Sequence, residues 1–189
     1  MEKVKTNNTG SFHPIKHFLV ITRHRHRVLG HCARAGILWR GLMHDMSKYS
    51  PSEFIPSAKH FVGTRSPNEL EREANGHSLA WMHHKGRNRH HFEYWTDYNP
   101  KTKAVEAVKM PLIFVIEMFC DRVGACKIYR GKDYTDASGY EYFVRGKAKD
   151  RMHKDTAALL EELLVMLKDR GEKETFRYIR RDLKKRKDY

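Results

Sequence analysis

The fold of this chain of 189 residues follows from the stretch PLIFVIEMFCDRV at residues 111–123. Most of its residues are apolar and follow one another without a regular alternation with polar residues, and Pro111 is suited to open or kink a helix. We therefore predict a long helix here that is the most buried element of the protein. Asp121 lies within this helix, where an unpaired buried carboxylate would be costly. We expect either a metal ion or Arg122 to satisfy it.

Further helices are predicted before this element. The apolar residues between 15 and 35 recur at steps of three and four, which is the period of a helix. A short buried helix is predicted for 37–46. Ser50 and Glu53 have the S-x-x-E spacing of a capping box, which predicts a third helix from about 51 to 62.

The remaining segments are also mainly helical in pattern. We predict helices over 69–84, from near Thr102, over 156–167 and after Gly171, with a loop at 131–140. No alternation of polar and apolar residues persists long enough to predict a strand. The sequence therefore predicts an all-α fold.

The length of the chain suits one domain, since domains usually hold roughly 100–200 residues. We expect a flexible N-terminal tail at 1–12, a helical domain at 13–170 and a basic C-terminal helix or tail at 171–189. Residues 168–189 contain ten Lys and Arg against five acidic residues. This segment could bind nucleic acid non-specifically through phosphates, or it could be an ordinary solvated helix.

Composition restricts the class of ligand and the compartment. With 37 Lys and Arg against 23 Asp and Glu, the formal net charge is +14, which favours phosphates over neutral or cationic substrates. No apolar run is long enough to cross a membrane, and the N-terminus lacks the pattern of a signal peptide, so we expect a cytoplasmic protein. Three cysteines without a CxxC pair predict neither a disulfide framework nor a cysteine zinc site.

The histidines are concentrated in one half of the chain. There are 13, and all except His153 lie between residues 13 and 91. The strongest local signal is LMHDMSK at 42–48, where His44 and Asp45 can both reach one metal if the helix ends there. His24 lies four residues before Val28, so it shares the apolar face of the first long helix.

These residues resemble the HD-domain superfamily of metal-dependent phosphohydrolases, whose pattern is H…HD…D on an all-helical core. The matching residues are His24, His44-Asp45 with Lys48, and Asp121 with Arg122. The middle region is similar to the branch with an HHE motif and cyclic-dinucleotide phosphodiesterases, but it lacks their Gly-Tyr-Pro element, and Glu93 stands one residue too late. The segments 37–61 and 88–95 resemble a small uncharacterised family of bacteria and phages.

The resemblance implies a set of ligands. It implies a first metal site of His24, His44, Asp45 and Asp121, with Asp45 bridging to a second ion for which the candidates are His84, His90 and His91. His60 matches the pattern less well. His31, one heptad after His24, is the alternative to His24 if the phase of the first helix differs. Lys48 is a candidate catalytic residue with Asp45, and Lys48, Arg87 and Arg89 are candidates to bind phosphate.

The chemistry follows from these ligands. One or two ions of Mn, Fe, Zn, Co or Mg would activate water and polarise a phosphoryl oxygen, which predicts a phosphomonoesterase or phosphodiesterase acting on a nucleotide or related small phosphoester. Two alternatives remain open at this stage. The chain could be a basic nucleic-acid-binding protein with a structural metal, or a di-iron oxygenase of HD type.

Overall fold

The computed structural model describes residues 12–186 and 188–189, and these form a mainly helical domain with one small sheet. The flexible tail predicted for 1–12 lies outside the described residues except for Phe12. The helices are α1 Pro14–Ala35, α2 Leu38–Met43, α3 Pro51–Lys59, α4 Pro67–Asn75, α5 Leu79–Arg87, α6 Leu112–Arg130, α7 Ser138–Arg145 and α8 Lys154–Arg181. The strands are β1 Thr96–Asn99 and β2 Ala104–Ala107, which pair antiparallel.

Helices α1 and α6 form the centre of the domain, as the apolar stretch predicted. Val28 on α1 and Val123 on α6 are fully buried. A Cβ atom on Gly124 would lie 2.9 Å from Val28 Cγ2, so the two helices approach this closely only because residue 124 has no side chain. Their separation decides how far His24 lies from Asp121.

Helix α8 closes the core from the other side, and it continues beyond the predicted domain boundary. Gly171 interrupts it with φ 75° and ψ 170°, a conformation that favours glycine. After this kink, Phe176, Ile179 and Leu183 are buried. The ring of Phe176 packs against Phe119 of α6 at a centroid distance of 5.8 Å. Phe176, Ile179 and Leu183 therefore contribute to the core of the domain.

Three local expectations differ from the structure. The predicted helix near Thr102 is absent, and the chain forms the β1–β2 hairpin there. The prediction is wrong because the two strands have only four residues each and mostly face solvent, so they carry no alternating pattern. The predicted helix 69–84 is divided at Gly76, which adopts φ 76°. No side-chain hydrogen bond caps α3 at Ser50, so the predicted capping box is wrong. Glu53 is buried instead and binds two histidines.

Among the described residues, no helix combines the length and the apolar character that a transmembrane segment requires.

Candidate metal centre

The turn after α2 directs His44 and Asp45 into the interior. Helix α2 ends at Met43, and Asp45 adopts φ 54° and ψ 25°, in the left-handed region that Asp tolerates better than most residues. Arg25 of α1 fixes this turn by donating to the carbonyl oxygens of His44, at 2.7 Å, and Leu42, at 2.9 Å. The adjacent side chains of His44 and Asp45 are both 1% exposed, so the helix ends where the sequence required.

A first group of ligand atoms joins α1, this turn and α6. His24 Nε2 lies 3.0 Å from Asp121 Oδ1 and 3.6 Å from Asp45 Oδ2. His44 Nε2 lies 3.3 Å from Asp45 Oδ2 and 3.6 Å from Asp121 Oδ1. Two histidines and two carboxylates therefore surround one point, and the group has the composition and spacing to hold a metal ion.

A second group shares Asp45 but uses its other oxygen. Asp45 Oδ1 lies 3.3 Å from His84 Nε2 and 3.4 Å from His90 Nε2. His91 Nε2 lies 2.8 Å from His84 Nε2, so it completes a set of one carboxylate and three imidazoles. The structure thus brings together all seven residues that the resemblance implied as ligands, in two groups joined by one carboxylate.

Two buried carboxylates lie behind these histidines. Glu117 Oε1 accepts from His44 Nδ1 at 3.1 Å and lies 3.4 Å from His90 Nδ1. Glu53 Oε2 accepts from His84 Nδ1 at 2.7 Å. Ligand histidines commonly donate their second N–H to a carboxylate, which fixes the tautomer and the ring orientation.

Neither carboxylate is among the site residues predicted from the sequence. Glu117 lies one helical turn before Asp121 in the same apolar stretch, where an unpaired carboxylate is equally costly. The spacing of Glu53 from Ser50 fits a capping box equally well, so it gives no sign of a contact with histidines.

Several buried polar atoms of the cluster have no hydrogen-bond partner. The Nδ1 atoms of His44 and His90 face Glu117, so their Nε2 atoms face the oxygens of Asp45. Five such buried atoms have no hydrogen-bond partner: the Nε2 atoms of His24, His44 and His90 and both oxygens of Asp45. Lys48 Nζ forms an ion pair with Asp45 Oδ2 at 2.7 Å.

The spacing of these atoms suits a metal ion better than direct hydrogen bonds. Ligands about 2.0–2.2 Å from one ion lie about 2.8–3.6 Å from each other at octahedral or tetrahedral angles. The N···O separations in the first group are 3.0–3.6 Å, which agrees with that range. Charge-assisted N–H···O bonds are shorter, at about 2.7–2.9 Å.

The electrostatics keep the carboxylates ionised despite their burial. Burial alone would raise the pKa of Asp45, but the charges of His44 and Lys48 hold it well below its usual range. Burial opposes ionisation of Glu117 too, yet hydrogen bonds from His44 and His90 lower its pKa to about 2. The centre therefore presents anionic oxygens, which are the ligands of a cation.

The other candidates divide into those at the centre and those away from it. Lys48 is at the centre, with its side chain 28% exposed beside Asp45. Arg87 and Arg89 are exposed, and the guanidinium of Arg89 lies over Tyr94 instead of the cluster. His60 Nδ1 faces Pro56 O, and His31 Nδ1 faces Cys120 O, so the structure brings neither into the two groups.

Arg122 does not satisfy Asp121. Its guanidinium lies 5.9 Å from the ring centroids of Tyr142 and Phe143, and its Nε atom is buried without a partner. Of the two partners expected for Asp121, a metal ion is the one that the geometry favours.

The family comparison covers every residue of this centre. Residues 13–166 match DUF5662, a family of unknown function. The chain belongs to this family. No curated protein and no solved structure matches it. The DUF5662 match includes α1 to α7 and the first part of α8, and it carries no statement of activity. Membership of the HD superfamily therefore remains a prediction.

Proposed function

We propose that this DUF5662 protein is a metal-dependent phosphohydrolase of HD type that acts on a nucleotide or another small phosphoester. The observation that carries the proposal is the position of Asp45, which presents one oxygen to His24 and His44 and the other to His84 and His90. A carboxylate shared in this way is typical of centres that hold two neighbouring ions. Such ions activate water and polarise a phosphoryl oxygen.

The chain's own residues have separate roles in this proposal. The seven ligands hold the ions, and Glu117 and Glu53 orient the histidines. Asp121 and Lys48 have side chains that are 16% and 28% exposed, whereas Asp45 and His44 are almost completely buried, so the substrate approaches from the side of Asp121 and Lys48.

Lys48 is the group that we assign to bind the phosphoryl oxygens. Burial opposes its charge, but Asp45 and Asp121 raise its pKa, so the ammonium group is present at neutral pH. It lies beside Asp45 Oδ2, the oxygen that faces the first group, and its side chain is partly accessible to solvent. The net charge of +14 favours the approach of an anionic substrate.

The test combines metal analysis with a substrate panel. Protein reconstituted separately with Mn, Fe, Zn, Co and Mg is analysed for bound metal and assayed with mononucleotides, cyclic nucleotides, dinucleotides and short oligonucleotides. We expect metal-dependent release of phosphate or nucleoside by the wild type. Asp121→Asn should abolish it, whereas His60→Gln, outside both groups, should not. A folded, metal-loaded wild type that releases nothing from this panel would refute the proposal.

Lys48→Ala provides a separate test of phosphate binding. If Lys48 contacts the phosphoryl group equally in the ground state and the transition state, the substitution raises KM more than it lowers kcat. Loss of kcat at unchanged KM would instead place Lys48 in the chemical step.

A di-iron oxygenase is the second candidate, and the composition of the second group favours it. Three imidazoles and one carboxylate suit iron as well as manganese. Under this alternative, the ferrous protein consumes oxygen and the phosphoester panel gives no product. Oxygen consumption and phosphoester hydrolysis measured on the same preparation therefore separate the two functions.

A further inference from the structure

Glu117 occupies a position that no other carboxylate of the centre shares. Its side chain is 1% exposed, and its Oε1 atom faces two histidines, His44 at 3.1 Å and His90 at 3.4 Å. The Nε2 atom of His44 belongs to the first ligand group, and that of His90 belongs to the second. One oxygen atom therefore lies behind one ligand of each group.

Arg40 holds the other end of this carboxylate. Its Nε and Nη2 atoms both lie 2.7 Å from Glu117 Oε2. With Oε2 bound to Arg40, the Oε1 atom remains directed at the two imidazoles. Arg40 comes from α2, the helix that ends in the His44-Asp45 turn, so the orientation of Glu117 is tied to the segment that carries the shared ligand.

Glu53 offers an internal comparison. Its two oxygens accept from His83 Nδ1 at 2.6 Å and from His84 Nδ1 at 2.7 Å. His84 belongs to the second group, and His83 belongs to neither. Glu53 thus supports the second group alone.

We propose that Glu117 is a positioning residue that couples the two ion positions, so that its loss weakens both together, whereas Glu53 serves only the second. This inference rests on the metal centre of the proposed function. A ligand histidine that loses its carboxylate partner rotates more freely and is a weaker base, which typically lowers metal affinity about 10–100-fold. Glu117→Gln affects one such histidine in each group.

The experiment is a titration of the metal-free full chain with Mn²⁺, followed by calorimetry and by electron paramagnetic resonance, which detects two neighbouring Mn²⁺ ions. We expect the wild type to bind two ions. Glu117→Gln should weaken both equivalents about 10–100-fold, and Glu53→Gln should weaken one and leave the other near the wild-type value. Circular dichroism and thermal melts establish that each variant is folded.

Arg40→Gln keeps the inference testable if Glu117→Gln fails to fold. It leaves Glu117 in place but releases Oε2, so we expect a smaller loss in the same direction at both positions. A folded Glu117→Gln or Arg40→Gln protein that loses affinity at one position, or at neither, overturns the coupling role.

The outcomes also separate this inference from the proposed function. A wild type that binds two ions and hydrolyses no phosphoester overturns the function and leaves the coupling intact. A wild type that binds two ions and hydrolyses phosphoesters, with Glu117→Gln unchanged in affinity, overturns the coupling alone. A wild type that binds no ion overturns both.

Discussion

The two halves of the candidate metal centre, which are the first and the second ligand group, are held in place by different interactions. His24 and Asp121 lie on α1 and α6, long helices that pack through apolar side chains, and α6 buries eight of its residues. His84 lies on α5, a nine-residue helix that buries only Ala80 and His84, and His90 and His91 follow it in a turn. Core packing holds the first half in place.

Hydrogen bonds hold the second half. Asn88 donates to Ser47 Oγ at 2.7 Å and to the carbonyl of His84 at 2.8 Å, and Glu53 accepts from His83 and His84. The first ion position is therefore fixed by the apolar core, and the second is fixed by a polar network. We expect the first position to be sensitive to changes in packing and the second to the loss of a polar partner.

The largest effect is expected where the halves meet. Asp45→Asn keeps the shape and the tolerance for positive φ but removes the charge shared by both groups, so both ions should be lost and hydrolysis abolished. Mass spectrometry of bound metal and the phosphoester assay measure the two losses. If one ion remains at full occupancy, Asp45 is not shared and the two halves are independent.

A core substitution far from the ligands should affect mainly the first half. Phe176 is 3% exposed and packs on both Phe119 and the ring of His31, so Phe176→Ala should lower the free energy of unfolding by about 3–5 kcal/mol. We expect weaker binding at the first position and little change at the second. Urea unfolding and Mn²⁺ titration test this, with Tyr142→Ala, at an exposed aromatic residue, as the control. Equal weakening of both positions would contradict the distinction.

A single methyl group between α1 and α6 should also lower the stability of the core, but by less than Phe176→Ala. The Cβ of Gly124→Ala would meet Val28 and push the helices apart, at a cost of about 1–3 kcal/mol. Gly30→Ala on α1 is the matched control, because nothing lies within 4 Å of its Cβ and a helix gains about 0.5–1 kcal/mol from this change. Thermal melts compare the variants, and two equally stable proteins would show that Gly124 is not required for close packing.

A change of pH tests the stability of α1 without any substitution. Burial lowers the pKa of both His17 and His31 from 6.5 to about 4. Between these values the unfolded chain binds more protons than the folded chain, so the stability present above pH 6.5 is lost as the pH falls towards 4. Urea unfolding of the metal-free protein from pH 7 to pH 4.5 measures the decline. His17→Leu should reduce its slope, and an unchanged slope would assign the decline to other groups.

The ligand residues of both halves were predicted, but the two carboxylates behind them, Glu117 and Glu53, were not. His24, Asp121 and the His44-Asp45 turn follow from local pattern, because an apolar helix face, a buried carboxylate and a helix end are properties of neighbouring residues. Glu53 shows the limit. Its spacing from Ser50 satisfies a helix-capping motif, and only the position of α5 in space makes it a partner of His84.

The same limit applies to the fold. Helices α1 and α6 are long and strongly patterned, so the sequence predicts them. The β1–β2 hairpin has two four-residue strands whose residues are mostly exposed, and such strands carry no periodic signal. The basic residues of 171–189 dominate its composition and favour a solvated tail. Net charge does not reveal that Phe176 and Ile179 are buried in the core.

The backbone at Asp45 has a consequence for how this family can change by mutation. A positive φ is accessible to Gly, Asn and Asp but is strained for Ala and for larger side chains. Both Asn and Gly are one base change away from any Asp codon. A single nucleotide substitution can therefore remove the shared carboxylate while the turn keeps its conformation. Gene copies that retain this fold without the proposed metal site are within one mutational step.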